Sequence, residues 1–149
     1  MTKVTIHKWL LHSLVTLTAT AAISVCSACS GSGEITLAAN AVDEFHSQLD
    51  SEQYQRIYDG SDPEFHKISN QTKFVSFLRS IRSQLCPVTQ AQLQSSQVGW
   101  FAGQGTVVTL VYHTRFTSST SGEKFIWHFD NHRPTLHGYY ISSNALVTK

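Results

Sequence analysis

Cysteine is scarce in this chain. Its 149 residues hold three, at positions 26, 29 and 86, and Cys86 alone stands beyond the first thirty residues. One thiol there builds no internal disulfide and no cysteine-based metal cluster. Charge is equally sparing. Eleven Lys and Arg against ten Asp and Glu leave a formal net charge of +1, with no run of like sign. That balance removes the electrostatic case for nucleic acid or an anionic membrane surface as partner. The sequence also lacks a glycine-rich phosphate loop, a serine nucleophile elbow and a HExxH helix. Its longest apolar stretch, residues 9–25, is short for a membrane span and is diluted by His12 and several threonines.

What is present at the start is an export signal: Lys3 and Lys8, then Trp9, Leu10 and Leu11, then an apolar run to Val25. Small residues follow, Ser27 and Ala28, directly before Cys29. Ser27-Ala28-Cys29 resembles the lipobox of bacterial lipoproteins. The resemblance implies cleavage before Cys29, acylation of its thiol and new amine, and an envelope protein tethered by lipid. Ser30, where that family commonly places Asp for inner-membrane retention, leans toward the outer membrane. The alternative is ordinary secretion into the periplasm or medium. The expected organisation is a signal peptide over 1–28, a flexible tether over 29–35 containing Gly31, Ser32 and Gly33, and a single domain over 36–145.

That domain reads as helices first and strands second. Ala38, Ala41, Val42, Phe45 and Leu49 recur at helical spacing, with Asp43, Glu44 and His46 on the other face. Asp50-Ser51 breaks the helix ahead of a turn holding Tyr54, Ile57 and Tyr58. Pro63 suits the first turn of a short segment containing Phe65 and Ile68. Phe74, Phe77, Leu78, Ile81 and Leu85 form the stripe of a further helix, which Pro87 stops. Cys86, just before that proline, reads as a small buried side chain.

After Pro87 the period shortens to two. Residues 88–98 form a polar strand suited to a sheet edge, and 106–116, 124–129 and 135–142 form three more. Helices followed by a meander imply an antiparallel α+β fold with the helices on one face. Turning about residues 117–122 sets Tyr112 opposite Phe129, Thr114 opposite Trp127 and Phe116 opposite Phe125. That side, with Val108 and Leu110, is the expected core face. The closing strand is expected to turn Tyr140 inward, beside a gap at Gly138, and to leave Tyr139 outside with His137.

Three pieces together resemble a known family. They are Ala41, Phe45, Leu49, Asp50 and Tyr54 in the helices, the run from Gly105 through Tyr112 to Phe116 with Glu123 opening the next strand, and the closing Gly138, Tyr139, Tyr140 and Ile141. Over about residues 36–143 the chain is similar to the exported bacterial domain of unknown function 4019. The resemblance implies a cystatin-like cone of the nuclear transport factor 2 type, with N-terminal helices packed on a curved antiparallel sheet. That superfamily holds ketosteroid isomerases, dehydratases and pure binding modules, so it implies no single activity.

Candidate sites are few. Six of the eight histidines fall in the domain. The expected register pairs His113 with His128, and a compact turn at 130–134 sets His137 beside His128. That spacing matches no metal motif, so no metal and no cofactor is expected. An acid–base pair in a cone pocket needs a carboxylate aimed inward, and no convergent acid is evident, so no catalytic residue is assigned. Trp100 and Phe101, at a hairpin tip, read either as a contact for a partner or lipid surface or as a lid folded over the cone. The expected function is a non-catalytic, lipid-anchored binding module of the cell envelope, with an envelope protein or small ligand as partner. The alternative is a cone-pocket enzyme or ligand binder of the ketosteroid isomerase-like type. The lipid-bearing residue in this reading is Cys29.

Overall fold

A computed structural model describes residues 30–85, 87–103 and 105–146 of the chain. The segment expected to be a signal peptide, Cys29 and Cys86 lie outside the described residues. Four helices precede four strands: α1 (Ser30–Asp50), α2 (Tyr54–Asp59), α3 (Pro63–Ile68), α4 (Gln71–Leu85), then β1 (Val88–Phe101), β2 (Gly105–Phe116), β3 (Thr120–Asp130) and β4 (Arg133–Ser142). The strands form one antiparallel sheet in the order β1-β2-β3-β4, every neighbour consecutive in sequence. The fold is α+β, with the helices ahead of a curved four-stranded sheet.

Local chemistry accounts for the helices. α1 buries Ala38, Val42, Phe45 and Leu49, one apolar stripe at three- and four-residue spacing. It begins at Ser30, so residues 30–35 of the segment 29–35, read as a flexible tether, are helical. The Asp62 side chain accepts the Glu64 amide as the N-cap of α3, with Pro63 in the first turn. α4 buries Phe74, Leu78, Ile81 and Leu85. Phe77 and Ile68, expected to pack with these neighbours, stand 38% and 78% exposed. The Asp50 carboxylate, at the end of α1, accepts the Val88 amide at 3.1 and 3.2 Å, fixing where the sheet starts relative to the helices.

The core face of the sheet is the expected one, in a different register. Val108, Leu110, Tyr112, Phe116, Phe125, Trp127 and Phe129 are all buried. Yet Tyr112 pairs with Glu123, Leu110 with Phe125, Val108 with Trp127 and Thr106 with Phe129. His113 pairs with Gly122, not with His128. The strands run almost to the tip: Arg115 pairs with Thr120, and the Phe116 amide donates to the Ser119 carbonyl at 2.8 Å. The expected loop was too long, and Thr120, Ser121 and Gly122 belong to the strand. The resulting slip is an even number of residues. Side chains alternate with period two, so the face survived while every partner changed.

The β3/β4 connection is a two-residue turn. Asn131 and His132 have φ of 48° and 61°, the paired positive φ of the turn that matches strand twist. Further along, Ile126 pairs with Gly138 but Trp127 pairs with Leu136, so His137 is an inserted residue. This bulge corrects the closing strand. Leu136 and Tyr139 both point into the core, and Tyr140 is 55% exposed. Strict alternation gave the opposite assignment, because one extra residue inverts every side chain beyond it.

Candidate functional site

Two polar clusters sit on opposite faces of the same two strands. The inner one lies against α1. Glu123 is 1% exposed and His46 6%. His46 Nε2 stands 2.9 Å from one carboxyl oxygen of Glu123, and the Tyr139 hydroxyl donates to the other at 2.6 Å. Burial pushes the Tyr139 hydroxyl well above the usual phenol range, and the neighbouring Glu123 adds to the shift. Aromatic rings seal the cluster: Phe125 lies edge-on to His46 at 5.7 Å and tilted against Tyr139 at 5.0 Å. His46 was expected on the outer side of its helix. It is inward because a helix laid across a curved sheet buries more than its narrow apolar stripe.

The outer cluster is built where the loop before α3 wraps the free edge of β4. The Asp62 amide donates to the Leu136 carbonyl at 2.9 Å, so the loop pairs with the edge strand and covers it. This carries the Asp62 side chain to the outer face, where it is buried at 3% exposure. One carboxylate oxygen lies 2.5 Å from His128 Nδ1 and accepts the Thr135 hydroxyl at 3.3 Å. The other accepts the Glu64 amide at 2.7 Å and lies 3.7 Å from His137 Nδ1. Burial works against ionisation of Asp62, but the His128 and Glu64 hydrogen bonds and the two imidazoles outweigh it, holding the carboxyl below the usual carboxylate range. The His128 and His137 rings meet edge to face, 6.1 Å apart.

This cluster opens on a cleft of about 310 Å³ lined by Gln97, Phe101, Val107, Ile126, His128 and His137 among others. The tip of β1 forms its rim. The two tip aromatics divide between the two readings made for them. Trp100 stands 72% exposed. Phe101 is 53% exposed and folds back, its ring 3.0 Å from where a Cβ on Gly99 would lie. It covers part of the outer cleft and not the interior of the sheet.

Of the histidines considered together, the structure unites His128 and His137 and leaves out His113. The third member, Asp62, went unnoticed. Its sequence signal announces only a helix cap before Pro63; nothing local says that the cap reaches across β4. Glu123 and His46 were missed too, although Glu123 did leave a signal. It alternates with Phe125, Trp127 and Phe129, all buried, which places it on the inward side. No protein-family model matches the chain, and no curated protein matches it.

Proposed function

We propose that the chain is an exported envelope protein, lipid-anchored through Cys29, whose single domain is a non-catalytic interaction module that docks an envelope protein through the Trp100 and Phe101 tip of the sheet. The observation that carries this is the exposure of two adjacent large aromatics, 72% and 53%, at the end of an edge strand. Aromatic anchors of this kind supply much of the binding energy of protein interfaces, and one free of covering side chains costs little to bury. The interior supports the non-catalytic reading. Tyr112, Phe116, Phe125, Trp127 and Phe129 fill it, and the Glu123 and His46 side chains are committed to each other and to Tyr139. Helices ahead of a curved antiparallel sheet are the arrangement such a module would need, and no described helix is long and apolar enough to cross a membrane.

The test is a photoreactive residue in place of Trp100 in the full-length chain, in the cells that make it. One discrete cross-linked product is expected from Trp100 and none from Lys67, a strongly exposed side chain on α3. Equal labelling from both positions, or none from Trp100, removes the docking surface. Mass spectrometry of the membrane-extracted protein addresses the anchor: residues 1–28 absent and acyl groups on Cys29 are expected, and a free thiol and free amine there end the lipoprotein reading. A second reading, a small-ligand site or enzyme, is favoured by the Asp62 and His128 pair at 2.5 Å beside the outer cleft.

A further inference from the structure

Asp62, His128 and His137 bring three potential ligand atoms within 4.8 Å of one another. The carboxylate meets each imidazole with a different oxygen: Asp62 Oδ2 lies 2.5 Å from His128 Nδ1 and Oδ1 lies 3.7 Å from His137 Nδ1. Four ligands held tetrahedrally at the usual zinc distances stand about 3.3 Å from one another. The two separations fall on either side of that value, and the three ligand atoms lie within 4.8 Å of one another. A second observation points the same way. His137 Nδ1 is buried and has no hydrogen-bond partner among the described residues. A buried polar nitrogen without a partner costs free energy in any folded protein, and this one faces a carboxylate too far away for a hydrogen bond.

We propose that Asp62, His128 and His137 form a binding site for a divalent transition ion of zinc type, with a fourth coordination position open to the outer cleft. Two imidazoles and one carboxylate suit a borderline ion better than calcium or magnesium, which take oxygen ligands. The ion takes the place of the proton between His128 Nδ1 and Asp62, and that proton leaves to solvent. Thr135 and the Glu64 amide already hydrogen-bond the carboxylate, the outer support that fixes a ligand's orientation. Asp62 is itself positioned by the loop pairing with β4, so metal binding would tie α3 to the sheet. The open position gives the cleft an affinity for an anionic or imidazole group. This deepens the docking reading by giving the cleft a chemistry, and it stands or falls on a separate measurement.

The measurement is zinc titration of the full-length protein, purified in detergent without a histidine tag and stripped with chelator. One ion per chain is expected, with a dissociation constant below about 10 µM. His137→Gln and Asp62→Asn should each weaken binding at least about tenfold, with the folded circular dichroism spectrum kept. His113→Ala, which alters an exposed outer-face histidine, should leave binding unchanged. Cobalt should give the visible bands of a four-coordinate site in the parent protein and lose them in His137→Gln. Absence of saturable binding, or binding that survives both His137→Gln and Asp62→Asn, overturns the site. If Asp62→Asn does not fold, His137→Gln decides alone. Cross-linking from Trp100 without zinc binding would leave the docking surface and remove the metal site; the reverse result would do the opposite.

Discussion

β3 and β4 each supply a side chain to the inner polar cluster and another to the outer one. Glu123 and Tyr139 go inward, His128 and His137 outward. Both faces therefore hold a carboxyl group beside imidazole, built from nearly the same chemistry, yet the two differ in closure. Inside, both oxygens of Glu123 are taken, one by His46 and one by Tyr139, and aromatic rings exclude water. Outside, Asp62 is well supplied with donors but His137 Nδ1 has no hydrogen-bond partner among the described residues, and a cleft lies alongside. A closed network stabilises a unique fold and can do nothing else without breaking. A network with one unfilled valence beside a cleft is free to take a ligand. Burial alone does not separate structure from function here, since Asp62 and Glu123 are both nearly inaccessible.

The comparison breaks first if the inner network is dispensable. Glu123→Ala strands the Tyr139 hydroxyl and His46 Nε2 in an aromatic core, and should cost about 3–5 kcal/mol in urea melts. A loss below about 1 kcal/mol would place the network among spectators. Next in size is Tyr139→Phe, which removes one donor from Glu123 and should cost about 1–3 kcal/mol at neutral pH. Its alkaline limb is diagnostic. The folded Tyr139 hydroxyl titrates higher than the unfolded one, so its contribution is intact below about pH 10 and is lost as pH rises toward the folded value. The parent protein should weaken above about pH 10 more steeply than Tyr139→Phe. Parallel alkaline profiles would mean that the hydroxyl is not held as tightly as its 2.6 Å bond implies.

Much of this architecture was legible from residue spacing, because period and burial are coupled. The stripes Val42, Phe45, Leu49 and Phe74, Leu78, Ile81 found the helix faces, and the alternation of Phe125, Trp127 and Phe129 found the core side of the sheet. What failed was whatever rests on counting across a turn or bulge. The loop from Thr117 to Ser119 is shorter than its polar composition suggested, and the insertion at His137 exchanged the places of Tyr139 and Tyr140. The sites failed for a different reason. Asp62 lies 66 residues in sequence from His128, and the contact depends on a backbone pairing between the loop and β4. No local pattern encodes that pairing. Two of the three members of the outer cluster, His128 beside His137, were nevertheless visible, because both lie on one hairpin whose turn is tight.

The outer cluster should be cheap to alter where the inner one is not. His137→Ala removes an imidazole that makes no hydrogen bond through Nδ1 among the described residues and is about one-third exposed at the side chain. A loss below about 1 kcal/mol is expected in metal-free urea melts. A loss of about 3 kcal/mol would mean that the outer cluster is as structural as the inner one, and the contrast between the faces would collapse.

Trp100 should show the smallest effect on stability and the sharpest separation of folding from binding. At 72% exposure it has little buried area to lose, so Trp100→Ser should change the unfolding free energy in urea melts by less than about 0.5 kcal/mol. Phe101 is a different case, since its ring lies over Gly99 and lines the cleft. Replacing it removes both a surface contact and part of the cleft wall. Trp100 therefore isolates the docking role. If it anchors a partner, its removal should cost about 2 kcal/mol or more of binding, as interface tryptophans do, while leaving the fold and the outer cluster intact. A Trp100→Ser protein that melted well below the parent would show that the indole packs against the domain in solution. The exposed end of β1 would then be a covered edge, and the outer cleft would be left as the open surface of this face of the sheet.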